Sequence, residues 1–322
     1  MEIIIYGGGA AGFAPALEPH LSPDDSLVFL PDALESEADR ARFAAAEYIV
    51  GTAFKPDLPK PENLRLFQAT GAGIDQIDLD AIPDGAVVCN AFGHEVGIAE
   101  FCLAAMLNHI IPMAEADAKL RKGEWSKQGK GSRGEIFGKT VGLLGFGRIG
   151  KAVAERAKAF GMRVTAANRS PVDTGPLVDE TFTFDRLDDF WPSADFIVMS
   201  LPLAEGTRGL VDANAFAKMR PHALFINVGR GPVVDEQALF DALKDRRIGG
   251  AVIDTWYQYP KAGSTTLPSR LPFETLDNIV MSPHMSGWTT GTQQRRSALF
   301  AENIRRVASG QPCLNVVRPA RP

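Results

Sequence analysis

Cysteine is scarce in this chain of 322 residues: there are three, Cys89, Cys102 and Cys313, an odd number at wide spacings. That pattern builds neither a disulfide framework nor a zinc site, and it fits thiols kept reduced in the interior. A cationic surplus is missing too. Lys and Arg total 34 against 39 Asp and Glu, a formal net charge of -5, and the basic residues are scattered, so no nucleic acid is expected as a partner. Long apolar runs are also absent. None approaches the roughly 18 residues that cross a bilayer, and the opening "MEIIIYGGG" carries an acid where a secretory leader has basic residues. A soluble cytoplasmic protein without a membrane partner is expected.

What is present is apolar content of 45%, enough to build more than one core, and the length suits two domains of about 100 to 200 residues each. Short β-branched runs alternate with helical patterns: "EIIIY", "SLVFL", "EYIVG", "LRLFQAT", "AVVCN", "TVGLLG", "MRVTAAN", "DFIVMSLP", "ALFINVG", "GGAVIDT" and "NIVMSP". Such alternation predicts an α/β protein with parallel sheets covered by helices. Residues 96–122 carry a long apolar stripe that Pro112 should kink or break, a helix suited to linking two domains. A second amphipathic stretch, 290–310, should return to the first domain.

Two glycine turns compete for a dinucleotide. Gly7, Gly9 and Gly12 spell G-x-G-x-x-G after the first apolar run, and Gly145, Gly147 and Gly150 spell it again in mid-chain. A phosphate turn needs an uninterrupted helix behind it, whose N-terminal N–H groups point at the anion. Behind Gly12, Pro15 and Pro19 interrupt "FAPALEPHL"; behind Gly150, "KAVAERAKAFGM" is a continuous amphipathic helix. Although Asp32 lies about 20 residues past Gly12, as a ribose-binding acid should, the mid-chain copy is the expected cofactor site. The next strand ends in Asn168, Arg169 and Ser170, where an NAD-selective site places a carboxylate. A guanidinium pairs with a 2′-phosphate that a carboxylate would repel, so NADP is the preferred cofactor and NAD a possible one.

Reduction of a 2-oxo acid by hydride needs a cation for the carboxylate and a proton donor for the oxygen that becomes hydroxyl. His20 and His222 read as loop or strand-edge residues and His109 as part of the linking helix, which leaves His94 and His284. His284, Arg230 and Asp254 each follow an apolar run directly, at the carboxyl ends of strands where open α/β sheets bind ligands.

With these residues in place, the chain resembles the D-isomer-specific 2-hydroxyacid dehydrogenases along nearly its whole length. The resemblance is carried by "GAGIDQID" (71–78), "GKTVGLLGFGRIGKAVA" (138–154), "FINVGRGPVVDE" (225–236), "GGAVIDTW" (249–256) and "NIVMSPHMSGWT" (278–289). It implies two Rossmann/flavodoxin-like parallel-sheet domains, a substrate domain of residues 1–98 and 286–322 with the dinucleotide domain, 99–285, inserted. It implies further that Arg230 binds substrate carboxylate and carbonyl, that His284 is the general acid or base, and that Asp254 orients the nicotinamide. Backbone N–H groups of Ala72 and Gly73 would help hold the carboxylate, and Trp288 would line the pocket. The cofactor would touch Gly145, Phe146, Gly147, Arg148, Ile149, Gly150, Leu201, Pro202, Thr207, Val228 and Gly229, together with His284, Ser286 and Gly287. A homodimer is implied, as is a glyoxylate or hydroxypyruvate type of substrate.

One position departs from the family's D-V-F-x-x-E-P pattern. The text here is "DTWYQYP", so Tyr259 stands where a glutamate would bond the histidine and raise its pKa. Trp256 matches formate dehydrogenases of the superfamily, whereas His94 replaces the asparagine of their formate loop. Glu95 could supply a carboxylate instead. A formate-dehydrogenase-like enzyme and a non-catalytic dinucleotide-sensing protein are therefore the competing expectations.

Overall fold

The computed structural model describes residues 1–125, 132–260 and 264–321. Among these, thirteen strands follow in chain order: β1 (Glu2–Tyr6), β2 (Ser26–Leu30), β3 (Tyr48–Gly51), β4 (Leu66–Ala69), β5 (Val87–Cys89), β6 (Thr140–Leu144), β7 (Arg163–Asn168), β8 (Glu180–Thr183), β9 (Phe196–Met199), β10 (Leu224–Asn227), β11 (Gly250–Ile253), β12 (Ile279–Met281) and β13 (Val316–Arg318). The architecture is α/β, with two mostly parallel sheets. The chain divides into two compact units, Met1–His94 with Thr289–Pro322, and Glu95–Trp288. The junctions thus fall at 94 and 288, where the sequence suggested 98 and 285, because the helix Glu95–Ile110 packs whole into the second unit.

In the first unit the strand order is β13-β5-β4-β3-β1-β2. Without β13 this is the 2-1-3-4-5 order of a flavodoxin-like sheet. β13 runs antiparallel to β5 and is only three residues long. Its anchor is the buried Arg318, whose guanidinium donates to the carbonyls of Leu79 (2.7 Å), Ile82 (2.9 Å), Pro83 (2.6 Å) and Ala86 (3.1 Å). The helix Thr290–Ala308 buries Phe300, Ala301 and Ile304 against Ile3, Ile5 and Leu66 in the same unit.

The second unit has the order β12-β11-β10-β9-β6-β7-β8, all parallel. Read from its far edge it is the doubly wound order 3-2-1-4-5-6 with one strand added. β6, β9, β10 and β11 are buried at every residue, which explains their near-continuous apolar text. Side chains alternate between two cores: Phe196 and Val198 of β9 pack with the helices Glu95–Ile110 and Arg148–Ala159, while Ile197 and Met199 face Phe216 and Leu239. The apolar stripe of 96–122 is two helices, Glu95–Ile110 and Met113–Arg121, bent by 50° at Pro112. Among the described residues no single helix is long and apolar enough to cross a membrane.

Candidate active site

The two glycine turns differ in what fills them. In the first unit Gly7 to Gly12 open a helix of only four residues, and the Gly8 N–H donates to Asp32 Oδ2 at 3.1 Å. A Cβ on Gly7 would lie 2.5 Å from Asp32 Oδ1. The turn is therefore occupied by a carboxylate of its own chain, whose charge repels a pyrophosphate. Asp32, the acid that might have bound a ribose, caps the loop instead.

In the second unit each glycine of Gly145–Gly150 has its own task. Gly145 adopts φ +103°, a left-handed backbone that favours glycine. A Cβ on Gly150 would lie 2.4 Å from the Gly145 carbonyl oxygen, so its absence lets the helix approach the strand. At Gly147 a Cβ would meet nothing within 4 Å, and no side chain caps the helix Arg148–Ala159 that begins there. The head of a 12-residue helix that no side chain caps, beside the open space at Gly147, suits a pyrophosphate. Phe146 is buried beside them, its N–H bonded to Asn168 Oδ1 at 2.7 Å. Asn168 thereby braces the turn from the end of β7, while Arg169 and Ser170 stay exposed.

The loops after β9 and β10 complete this end of the sheet. Ser200 Oγ donates to the Gly145 carbonyl at 3.2 Å, and Thr207 Oγ1 to the Pro202 carbonyl at 2.7 Å. Leu201 is buried, and a Cβ on Gly229 would lie 2.7 Å from its carbonyl oxygen, so only glycine allows this approach. Val228 is buried, and Ile149 is half-buried in the helix beyond Arg148.

Three strand ends of the second unit bring the reactive groups together. Arg230 follows β10, with Nη1 on the Gly229 carbonyl at 3.0 Å. Asp254 follows β11, is fully buried, and accepts from Ser282 Oγ (2.6 Å), Met285 N–H (2.9 Å), Ser286 N–H (3.0 Å) and Ser286 Oγ (2.5 Å). These donors flank His284, which sits after β12 at φ +54°. A non-glycine residue in that region stores strain of order 1 kcal/mol, and the clasp on Asp254 holds it there. The expected orientation of the nicotinamide by Asp254 is joined by a role only the fold displays, positioning of the histidine loop. Trp256 adds to the clasp, its Nε1 donating to the Ser282 carbonyl at 2.9 Å. Sequence reasoning missed Ser282 and Asn227; the latter's Oδ1 accepts from Gly229 N–H (3.1 Å) and Thr255 Oγ1 (2.9 Å), joining the two loops. Their signal was an Asn and a Ser where apolar runs end.

Tyr259 meets the histidine. Its hydroxyl lies 3.0 Å from His284 Nδ1 and accepts the Trp256 N–H at 3.3 Å. Loss of water around the ring is the largest influence on His284 and lowers its pKa; Asp254 raises it and Arg230 lowers it. Burial raises the Tyr259 pKa, against the Trp256 N–H and Arg230. Both residues keep an exposed edge, so the groups are reachable from solvent.

The other candidates scatter. His222 Nε2 bonds Asp195 Oδ1 at 2.8 Å, and His109 packs edge-on against Phe196, both at the opposite, amino end of the sheet. Trp288 ends the second unit and is exposed. Gly287 is half-buried beside it. In the first unit Ala72 and Gly73 follow β4, where Asn90 Nδ2 donates to the Ala72 carbonyl at 2.9 Å. His94 and Glu95 flank the junction of the units. Residues 261–263, which follow Tyr259 closely, lie outside the described residues.

Fold and site define a doubly wound dinucleotide-binding protein with an arginine, a histidine and a tyrosine at the carboxyl ends of its strands. A model of the D-isomer specific 2-hydroxyacid dehydrogenase, NAD binding domain, matches residues 103–286, a stretch that contains the second glycine turn and not the first. The glyoxylate/hydroxypyruvate reductase B of Klebsiella pneumoniae (strain 342) is 32% identical over 328 residues, 99% of this chain and 98% of the relative. The D-3-phosphoglycerate dehydrogenase of Methanocaldococcus jannaschii is 34% identical over 264 residues, 81% of this chain but 48% of the relative, so this chain spans about half that protein's length. Among solved structures, the 2-hydroxyacid dehydrogenase from Ketogulonicigenium vulgare Y25 aligns with TM-score 0.82 and 26% identity over 99% of both chains. The chain belongs to the D-isomer specific 2-hydroxyacid dehydrogenase family. Its cofactor class is a nicotinamide dinucleotide.

Proposed function

We propose that the protein reduces small 2-oxo acids, such as glyoxylate or hydroxypyruvate, to D-2-hydroxy acids, with NADPH preferred over NADH. The observation that carries this reading is the convergence of Arg230 and His284, within electrostatic reach of each other, at the same carboxyl end of the sheet as an open glycine turn. The similarity to a glyoxylate/hydroxypyruvate reductase over almost the whole of both chains supports the substrate class.

The cofactor, when bound, supplies the hydride. Arg230 pairs with the substrate carboxylate and polarises the carbonyl, concentrating positive charge where negative charge develops. His284 as imidazolium gives its Nε2 proton to the carbonyl oxygen. The Asp254 clasp keeps the ring in place. Ala72 and Gly73 are assigned to the carboxylate and Trp288 to the pocket wall. The reading includes a cytoplasmic location, supported by three unpaired cysteines. It also includes a homodimer: the helix Met113–Arg121 buries no residue, and Met113, Leu120 and Trp125 are exposed, an apolar surface that a second copy would cover.

NADP preference rests on Asn168, whose oxygen is committed to the Phe146 N–H, and on the exposed Arg169. Arg169→Ala is expected to weaken NADPH binding by roughly tenfold, the low end for a hydrogen bond to a charged group, and to leave NADH unchanged. Titration calorimetry with both cofactors checks it, and equal losses would contradict it. The function itself is tested by offering glyoxylate, hydroxypyruvate, larger 2-oxo acids and, with the oxidised cofactors, formate. Turnover of small 2-oxo acids is expected. Turnover of formate alone, or cofactor binding without turnover, would replace this reading by one of its competitors.

A further inference from the structure

The Nδ1 atom of His284 meets a phenol, and a phenol can do what a carboxylate cannot. An ionised carboxylate only accepts hydrogen bonds; a tyrosine hydroxyl both donates and accepts. Resting on the assignment of His284 as proton donor, we infer that Tyr259 is a positioning residue that donates its hydroxyl proton to Nδ1 of neutral His284, locks the ring as the Nε2–H tautomer, and so confines efficient turnover to the acid side of neutrality.

The hydroxyl oxygen has one proton to give and two acceptor sites. Trp256 N–H already points at the Tyr259 oxygen, at 3.3 Å, which leaves the single O–H free to reach Nδ1 at 3.0 Å. The charged groups acting on the ring are Arg230, from the loop after β10, and Asp254, from the end of β11. Asp254 cannot serve as a replacement partner, because four donors from Ser282, Met285 and Ser286 fill its acceptor sites. The imidazolium therefore has a neutral partner at Nδ1 and a guanidinium nearby. Both circumstances, with the loss of water around the ring, favour early release of the proton.

The tautomer adds a second effect. Oxidation of an alcohol needs a lone pair on Nε2, and the tautomer fixed by Tyr259 places the proton on that atom. Above the lowered pKa the ring is thus neither a charged acid for reduction nor a ready base for oxidation. The hydroxyl serves the neutral ring as donor and the imidazolium as acceptor, so, unlike a carboxylate, it gives the charged form no Coulombic advantage.

Ring nitrogen and carbon NMR of the intact protein reads both effects without any substrate, with His284→Asn to assign the signals. Neutral His284 is expected to show the Nε2–H pattern and to titrate below an ordinary histidine. Tyr259→Glu should raise the midpoint by about one pH unit or more and convert the neutral ring to Nδ1–H, as a carboxylate at hydrogen-bond distance does. Tyr259→Phe, which keeps the ring but not the hydroxyl, should give a mixture of tautomers. Tyr259 is 51% exposed, so both variants should fold. In kinetics, the alkaline limb of kcat/KM for reduction should move upward in Tyr259→Glu by the same amount, with cofactor KM unchanged. An Nδ1–H tautomer in the wild type, or an unmoved midpoint in Tyr259→Glu, would overturn the inference. If no 2-oxo acid is turned over while the NMR pattern holds, the reaction assigned above fails and the role of Tyr259 toward His284 stands.

Discussion

Valine at position 147 is expected to leave the protein folded and to weaken dinucleotide binding by roughly 100-fold or more, about 2.7 kcal/mol. The two halves of this outcome have separate causes. Gly147 has φ -88° and ψ -153°, an extended backbone with negative φ, and an added Cβ meets no atom within 4 Å, so packing does not oppose it. The same open space is what a pyrophosphate needs in order to approach the N-terminus of the helix Arg148–Ala159. Gly150→Ala should behave oppositely. Its Cβ, 2.4 Å from the Gly145 carbonyl oxygen, forces helix and strand apart and should cost about 1 to 3 kcal/mol of stability. Thermal unfolding and equilibrium cofactor titration of the two variants separate the effects. A Gly147→Val protein that binds normally would remove the glycine turn from the cofactor site.

His284→Asn should reduce kcat by about 100- to 10,000-fold, the contribution of a positioned general acid, a loss far larger than any change in cofactor affinity. Asparagine also tolerates the left-handed backbone that the position demands, φ +54°, so the Asp254 clasp should survive and the loss can be assigned to proton transfer. Single-turnover kinetics beside cofactor titration make the comparison. An unchanged kcat would mean that another group supplies the proton.

Nine of the thirteen strands are legible because a parallel strand buried on both faces is written as an apolar run, and the partly exposed edge strands β2 and β12 are legible because their text is apolar all the same. The two that are not, β8 and β13, lie at sheet edges. β8 reads "ETFT" and buries one residue of four, and β13 owes its place to the Arg318 guanidinium, a contact no local pattern encodes. Prolines behind the first glycine turn set it apart from the second in the sequence, yet the Asp32 carboxylate that fills that turn comes from 24 residues away and only the fold reveals it. The candidate site shows the same division. Arg230, Asp254 and His284 are legible because each follows an apolar run. The strained His284 backbone, the clasp on Asp254 and the brace from Asn168 to Phe146 arise from residues far apart in the chain, and spacing alone carries no trace of them.

Transfer of a deuterium label tests the central claim most directly. NADPH carrying deuterium at C4 of the nicotinamide is mixed with the enzyme and glyoxylate or hydroxypyruvate, and the product is examined by mass spectrometry and chiral chromatography. With the label on the face that is transferred, deuterium is predicted at C2 of the hydroxy acid, in the D configuration where C2 is stereogenic, with none lost to solvent. Product without the label from either face of the nicotinamide, label washed into water, or the L enantiomer from hydroxypyruvate would contradict direct hydride transfer to a D-2-hydroxy acid in this site.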